Sequence, residues 1–134
     1  MSEAQKPHIS VMVIDDSKSV RRSFESQLEA SGIELRTAED GYEALVKLNE
    51  YEPDIIFTDI MMPRLDGYQT CSIIKKNPKL KEVPVVMLSS RDGMFDMAKG
   101  RHAGADRYLT KPFKKKDLFD TMRVLLGERF TLQA

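Results

Sequence analysis

Ile9-Ser10-Val11-Met12-Val13-Ile14-Asp15-Asp16 is the stretch that decides the fold. Its apolar run shows no alternation with polar positions and stops on two carboxylates, as expected of a strand buried on both faces. Four more strand candidates follow: Ile33-Glu34-Leu35-Arg36-Thr37, Ile55-Ile56-Phe57-Thr58, Val83-Pro84-Val85-Val86-Met87-Leu88 and Arg107-Tyr108-Leu109-Thr110. Between them apolar residues return at helical spacing. Val20, Phe24 and Leu28 form one stripe, Ala44, Leu45 and Leu48 a second, and Leu118, Met122, Leu125 and Leu126 the last. Ser17, Asp92 and Asp40 are expected helix starts, the last with Glu43 three residues on as a capping box. Gly32 is an expected helix stop. Strands alternating with helices predict a parallel sheet covered on both faces.

The strands also suggest their order. The first, third and fourth are nearly unbroken apolar runs. The second and fifth carry Glu34, Arg36 and Arg107 and read as edges. With right-handed crossovers this leaves 2-1-3-4-5, the flavodoxin-like doubly wound (βα)5 arrangement, with its crevice at the carboxyl ends of strands one and three. The 134 residues suit one such α/β domain, expected over 9–127, with 1–8 as an N-terminal extension and 128–134 as a tail. Twenty-one basic residues balance 21 acidic ones, which argues against a nucleic-acid partner held by a global basic field. The single Cys71 excludes an internal disulfide framework and fits a reducing compartment. No apolar run is long enough for membrane insertion and residues 1–7 lack a signal-peptide core, so a cytoplasmic location is expected.

The predicted crevice gathers chemistry. Strand one ends in Asp15-Asp16 and strand three in Asp59, so three carboxylates converge. Two unit charges about 5 Å apart repel by roughly 3 kcal/mol at an effective dielectric near 20. Three are costly unless a cation sits among them, and carboxylate oxygens suit Mg²⁺ or Mn²⁺. One of the paired acids could simply cap the first helix, but capping explains neither the second nor Asp59. Strand four ends in Ser89-Ser90 and strand five in Lys111-Pro112. A hydroxyl and an ammonium there can hold phosphoryl oxygens, and positioning with charge neutralisation is most of what phosphoryl transfer needs. Asp59 lies nearest the middle and is the expected nucleophile, forming an acyl phosphate. Alone, Ser89 would read as a turn hydroxyl and Lys111 as a solvated lysine. Agreement among four strand ends raises them above that.

Four segments carry a resemblance: Val13-Ile14-Asp15-Asp16-Ser17, Thr58-Asp59-Ile60-Met61-Met62-Pro63-Arg64-Leu65-Asp66-Gly67, Met87-Leu88-Ser89-Ser90 and Tyr108-Leu109-Thr110-Lys111-Pro112-Phe113. In this order and at these separations, the chain resembles a response-regulator receiver domain over about residues 9 to 127. The resemblance implies that Asp59 accepts a phosphoryl group from a histidine kinase or histidine phosphotransfer domain. It implies Mg²⁺ held by Asp15 or Asp16, Asp59 and the backbone carbonyl of Met61. Ser89 would bind a phosphoryl oxygen, Lys111 would pair with the phosphate, and the Lys111–Pro112 bond would be cis. Tyr108 resembles the family's aromatic switch, which turns inward as Ser89 moves. The face of the fourth helix, fifth strand and fifth helix would then change its partners, as a monomer or an activation-dependent dimer.

Sequence length past Pro112 leaves no room for a DNA-binding module, so the chain is expected to act as a stand-alone receiver. Met12–Lys18, Asp66–Cys71, Ser89–Asp96 and Ala98–Arg101 are most similar to the single-domain receivers of twitching motility and type IV pilus systems, which implies a motility protein downstream. Flagellar chemotaxis receivers share the chemistry but fewer of these details. Met61 and Arg91 border the path of the hydrolytic water in receivers; neither orients water well, so slow to intermediate self-dephosphorylation is expected. Lys114-Lys115-Lys116 should open the last helix at about 0.3–1 kcal/mol each against the macrodipole. They read either as a solvated run or as a docking surface for an acidic partner. Cys71 reads as packing, and His8 and His102 have no ligand spacing. Three rivals fare worse. An aspartyl phosphatase needs an acid where Met61 stands. A flavin carrier would set acids against its phosphate. A phosphorylation-independent adaptor would not need the whole set Asp15, Asp16, Asp59, Ser89 and Lys111.

Overall fold

Strands whose two faces both lose contact with water have to be largely apolar, and the three central strands carry polar residues only at their ends, Ser10, Thr58-Asp59 and Ser89-Ser90. The computed structural model describes residues 9–90, 97–128 and 130. The elements run β1 (Ser10–Ile14), α1 (Lys18–Leu28), a 3-10 turn (Glu29–Ser31), β2 (Glu34–Ala38), α2 (Gly41–Leu48), β3 (Ile55–Asp59), α3 (Gly67–Lys76), β4 (Val85–Ser90), α4 (Met97–Ala103), β5 (Arg107–Lys111) and α5 (Lys115–Leu126). The five strands are parallel in the order β2-β1-β3-β4-β5, as expected from the edge chemistry. β1 and β3 are buried end to end, whereas β2 and β5 are partly exposed.

Alternation along each central strand builds two cores. Val11, Val13, Phe57, Val86 and Leu88 face Phe24 and Leu28 of α1 and Leu118 and Met122 of α5. Met12, Ile14, Ile56, Val85 and Met87 face Ala44 and Leu48 of α2, Ile74 of α3 and Ala103 of α4. Phe24 fixes the first core at its centre, with ring centroids 5.1 Å from Phe57 and 5.0 Å from Phe113. Cys71 lies fully buried in the second core, where its thiol donates to the Ala103 carbonyl at 3.4 Å. Burial pushes that thiol up to about 11, with Asp106 adding to the shift and Lys75 opposing it. It is therefore packing, and we expect negligible labelling by iodoacetamide at pH 8 in the native protein and full labelling in denaturant. Rapid native labelling would contradict this.

Several boundaries move from their sequence positions. β4 begins at Val85, not Val83; Pro84 has no N–H for the ladder, although its carbonyl still accepts from Ile56 N–H at 2.9 Å. β3, β4 and β5 run on to Asp59, Ser90 and Lys111, so the polar groups belong to the strands themselves. Ser17 caps α1, its hydroxyl accepting from Val20 N–H at 3.3 Å. Asp40 caps α2 through Glu43 N–H at 2.8 Å, which lowers its carboxyl below the usual range. The return half of that capping box is displaced by one residue, because Glu43 accepts from Glu39 N–H at 2.7 Å. Gly32 ends the 3-10 turn with a left-handed φ of 70°. Asp92 lies outside the described residues.

At the other end, Lys114 is the N-cap of α5 and Lys115 and Lys116 its first turn. Lys116 pairs with Asp120 at 2.8 Å, and Asp117 accepts from Lys114 N–H at 3.1 Å. The basic run is thus answered within its own helix, which favours the solvated-face reading. Packing does not stop at residue 127. Phe130, placed in the tail by the sequence pattern, is fully buried in the first core, edge-on to Phe119 at 5.1 Å. Among the described residues no helix is long and apolar enough to cross a membrane.

Candidate functional site

β1 and β3 are neighbours in register, Ile14 beside Thr58, so their carboxyl ends deliver Asp15, Asp16 and Asp59 to one place. Carboxylate oxygens of the three lie within 4.8 Å of one another. Asp15 is fully buried, Asp59 nearly so, and Asp16 is exposed. β5 contributes Lys111 at its last residue. Its Nζ donates to Asp15 Oδ2 and to Asp59 Oδ1, each at 3.2 Å. One cation therefore bridges the two buried acids, and Asp16 remains on the solvent side.

The electrostatics follow from this crowding. Burial raises the Asp59 carboxyl above the usual range, the Asp15 charge raises it further, and Lys111 only partly opposes them. For Lys111, burial is the largest influence and pushes the ammonium down. The two carboxylates together outweigh it, so the net shift is upward and Lys111 stays charged. Such an oxygen-only donor set, with more negative than positive charge, fits a hard divalent cation.

Residues beyond the sequence-derived set shape the site. Ser17 N–H donates to Asp15 Oδ1 at 2.8 Å, and Arg21 Nη1 donates to the Asp15 backbone carbonyl at 2.7 Å. Both act from the first turns of α1 and hold Asp15 from behind. Ser17 was legible as a cap, but Arg21 has no local signal, because its target is an irregular carbonyl. Gly67 opens α3 against the end of β3. A Cβ there would meet the Asp59 carbonyl and lie 2.8 Å from Ile60 Cα, and its N–H donates to Ile60 O at 2.8 Å. The obstacle is backbone, which cannot swing aside. Gly67→Ala is expected to cost about 2 kcal/mol by overpacking and to displace Asp59. Urea denaturation checks the first effect and phosphoryl-adduct yield the second.

Register places the remaining residues. Ser89 pairs with Thr110, one step beyond the Leu88–Asp59 pair, and is buried; Ser90 beside Lys111 is exposed. The Lys111–Pro112 peptide is cis. Met61 follows Asp59 by two residues, with its side chain 72% exposed, and Arg91 lies outside the described residues. Tyr108 stands on β5 away from the acids, partly buried against the α2–α4 core. Its hydroxyl lies so close to Gly100 of α4 that any Cβ there would overlap it. Gly100→Ala is therefore expected to turn the Tyr108 ring while changing stability by under about 1 kcal/mol, since the helix-propensity gain offsets the crowding. Ring resonances of Tyr108 in NMR spectra would report it; an unmoved ring would refute it.

A parallel 2-1-3-4-5 sheet that converges three acids and a lysine at its switch point defines a signalling receiver. The chain belongs to the response regulator receiver domain family, which it matches over residues 11–123. It is 55% identical over 121 residues to Protein PilG of Pseudomonas aeruginosa, an alignment covering 90% of each chain. Other curated relatives are longer, and the chain spans 44% and 50% of the length of two of them. Among solved structures, chemotaxis protein CheY4 of Vibrio cholerae superposes with a TM-score of 0.83 at 30% identity, covering 88% of this chain and 98% of that one. The receiver domain of the sensor histidine kinase PA1611 from Pseudomonas aeruginosa gives 0.81 at 25% identity over 90% and 98%, and holds a magnesium ion in its active site cleft.

Proposed function

We propose that this receiver is switched by phosphorylation of Asp59 and regulates type IV pilus-based motility. The observation that carries the chemistry is the Lys111 ammonium shared at 3.2 Å between Asp15 and Asp59. It holds the Asp59 carboxylate in one orientation and stands ready to neutralise charge arriving on phosphoryl oxygens. A carboxylate oxygen of Asp59 bonds to phosphorus as the P–N bond of a phosphohistidine donor breaks. The electron pair leaves with the imidazole nitrogen, which takes up a proton. Ser89 accepts the phosphoryl group into reach of its hydroxyl, and Lys111 transfers from carboxylate to phosphate. Asp15, Asp16, Asp59 and the Met61 carbonyl are the residues that would hold Mg²⁺. When bound, that ion supplies charge neutralisation at the transferring oxygens. The chain thereby catalyses its own phosphorylation and dephosphorylation and no reaction of an outside substrate.

Output is assigned to the face of α4, β5 and α5, where Tyr108 rests on Gly100. The domain is proposed to span 9–127 with Phe130 as its packed extension. The pilus assignment rests on the identity to PilG across 90% of both chains and on the stretches from Met12–Lys18 to Ala98–Arg101. Intact mass after incubation with acetyl phosphate is the test. One phosphoryl adduct is expected, requiring Mg²⁺ and absent from Asp59→Ala. An adduct that persists in Asp59→Ala, or none at all, overturns the mechanism. In the host cell, Asp59→Ala should alter twitching, and unchanged twitching counts against the pilus assignment.

A further inference from the structure

Arg21 and Arg22 are neighbours in α1, yet only Arg22 faces solvent. The Arg21 side chain keeps 15% of its surface exposed and turns toward the acid cluster. Its Nη1 donates to the Asp15 backbone carbonyl at 2.7 Å, and its Nη2 lies 3.9 Å from a Glu39 carboxylate that is 72% exposed. A cation this near the start of a helix works against the dipole, and covering a guanidinium costs hydration. A long pair with a solvated acid returns little of that. The bond to the carbonyl is what orients Arg21.

That bond completes an unusual set. All four polar atoms of Asp15 are engaged: its N–H donates to Ala38 O at 3.0 Å, its carbonyl accepts from Arg21, Oδ1 accepts from Ser17 N–H at 2.8 Å and Oδ2 from Lys111 at 3.2 Å. The carbonyl belongs to the peptide that joins Asp15 to Asp16. Rotation about ψ of Asp15 carries this oxygen and Asp16 together, so a grip on the oxygen also fixes Asp16. Lys111 bridges Asp15 and Asp59, whereas Asp16 is exposed at the rim with a carboxylate oxygen within 4.8 Å of theirs. The aim of Asp16 into the cluster depends on that peptide.

We propose that Arg21 is a positioning residue of the cation site and sets its preference for Mg²⁺ over Ca²⁺. The proposal rests on the reading that the three acids hold a divalent ion. Mg²⁺ demands near-ideal octahedral geometry at about 2.0–2.1 Å, whereas Ca²⁺ accepts irregular oxygen shells at about 2.3–2.6 Å. Freeing the Asp15–Asp16 peptide therefore penalises Mg²⁺ first. The charge of Arg21 acts in the opposite sense: a guanidinium beside the cluster repels either ion, so its removal alone would tighten both alike. The ratio of the two affinities separates positioning from charge.

The test uses the full chain, ¹⁵N-labelled and unphosphorylated, titrated with Mg²⁺ and separately with Ca²⁺ while the amides of residues 15–17 and 59–61 are followed. Arg21→Met is expected to weaken Mg²⁺ binding about tenfold, the usual scale for residues that orient metal ligands, and Ca²⁺ binding by less than about threefold. Arg21→Lys keeps the charge on a shorter reach; it should still cost Mg²⁺ at least about threefold, and it gives a second reading should Arg21→Met melt early. Arg22→Met removes the same charge from the exposed neighbour and should leave both affinities within about twofold, as expected of a screened surface charge. Tighter binding of both ions by Arg21→Met would make Arg21 a through-space charge only, and an unchanged Mg²⁺ affinity would make it a structural support; either overturns the proposal. So does an equal loss of Mg²⁺ and Ca²⁺, or a loss in Arg22→Met as large as in Arg21→Met. A wild-type chain that binds neither ion overturns the cation site itself, a separate failure that is read before any variant is compared.

Discussion

Lys111→Ala is expected to lower stability by about 3 kcal/mol in the absence of divalent cations. Removing one partner of a buried ionic cluster leaves the others uncompensated, and such losses run at about 3–5 kcal/mol. The Lys111 side chain keeps 18% of its surface exposed, which places this case at the low end. The same variant should gain more stability from Mg²⁺ than the wild type does. Lys111 Nζ lies on Asp15 Oδ2 and Asp59 Oδ1, so its positive charge opposes a second cation among the same carboxylates. A ligand that binds only the folded state stabilises in proportion to ln(1 + [L]/Kd), so tighter Mg²⁺ binding reads out directly as a larger shift. Urea denaturation of both proteins with and without Mg²⁺ measures all four stabilities. Equal Mg²⁺ increments would show that the ammonium and the ion do not share the site.

Phe130→Ala is the second large effect, at about 3 kcal/mol, since fully buried Phe→Ala changes cost about 3–5 kcal/mol and a position near the chain end relaxes more readily. The ring packs edge-on to Phe119 of α5 at 5.1 Å, and Phe130 N–H donates to Gly127 O at 3.1 Å. Gly127, at a φ of 64°, turns the chain back toward the core. Loss of under about 1 kcal/mol on substitution would mean that the segment after Gly127 adds nothing to the domain. The consequence for function is practical. A chain cut at residue 127 would weaken α5, one third of the proposed output face.

Periodicity alone carried the alternation of strands and helices, because burial on two faces demands apolar runs such as Ile55–Phe57 and burial on one demands the Val20–Phe24–Leu28 stripe. It also carried the order of the sheet, since polar residues such as Glu34 and Arg107 are tolerated only where an edge meets water. The acids and Lys111 were legible for a related reason: each sits where an apolar run ends, and parallel strands all end on the same side. Their number and chemistry made the cluster unlike capping residues. Partners selected by shape were not legible. Arg21 reaches a backbone carbonyl, Gly67 clears space for the end of β3, and Gly100 makes room for Tyr108. Each depends on a distance between segments that no local pattern encodes. Phe130 escaped because one aromatic residue among polar neighbours has no period.

What the amino-acid sequence determined unaided was thus the architecture and the chemical content of the crevice, since both follow from which residues water excludes and which it solvates. Only the tertiary structure decided that Lys111 bridges Asp15 and Asp59 rather than standing in solvent, and that the core extends to Phe130. Those depend on which surfaces come within a few ångströms of each other, and that is settled when helices seat on the sheet.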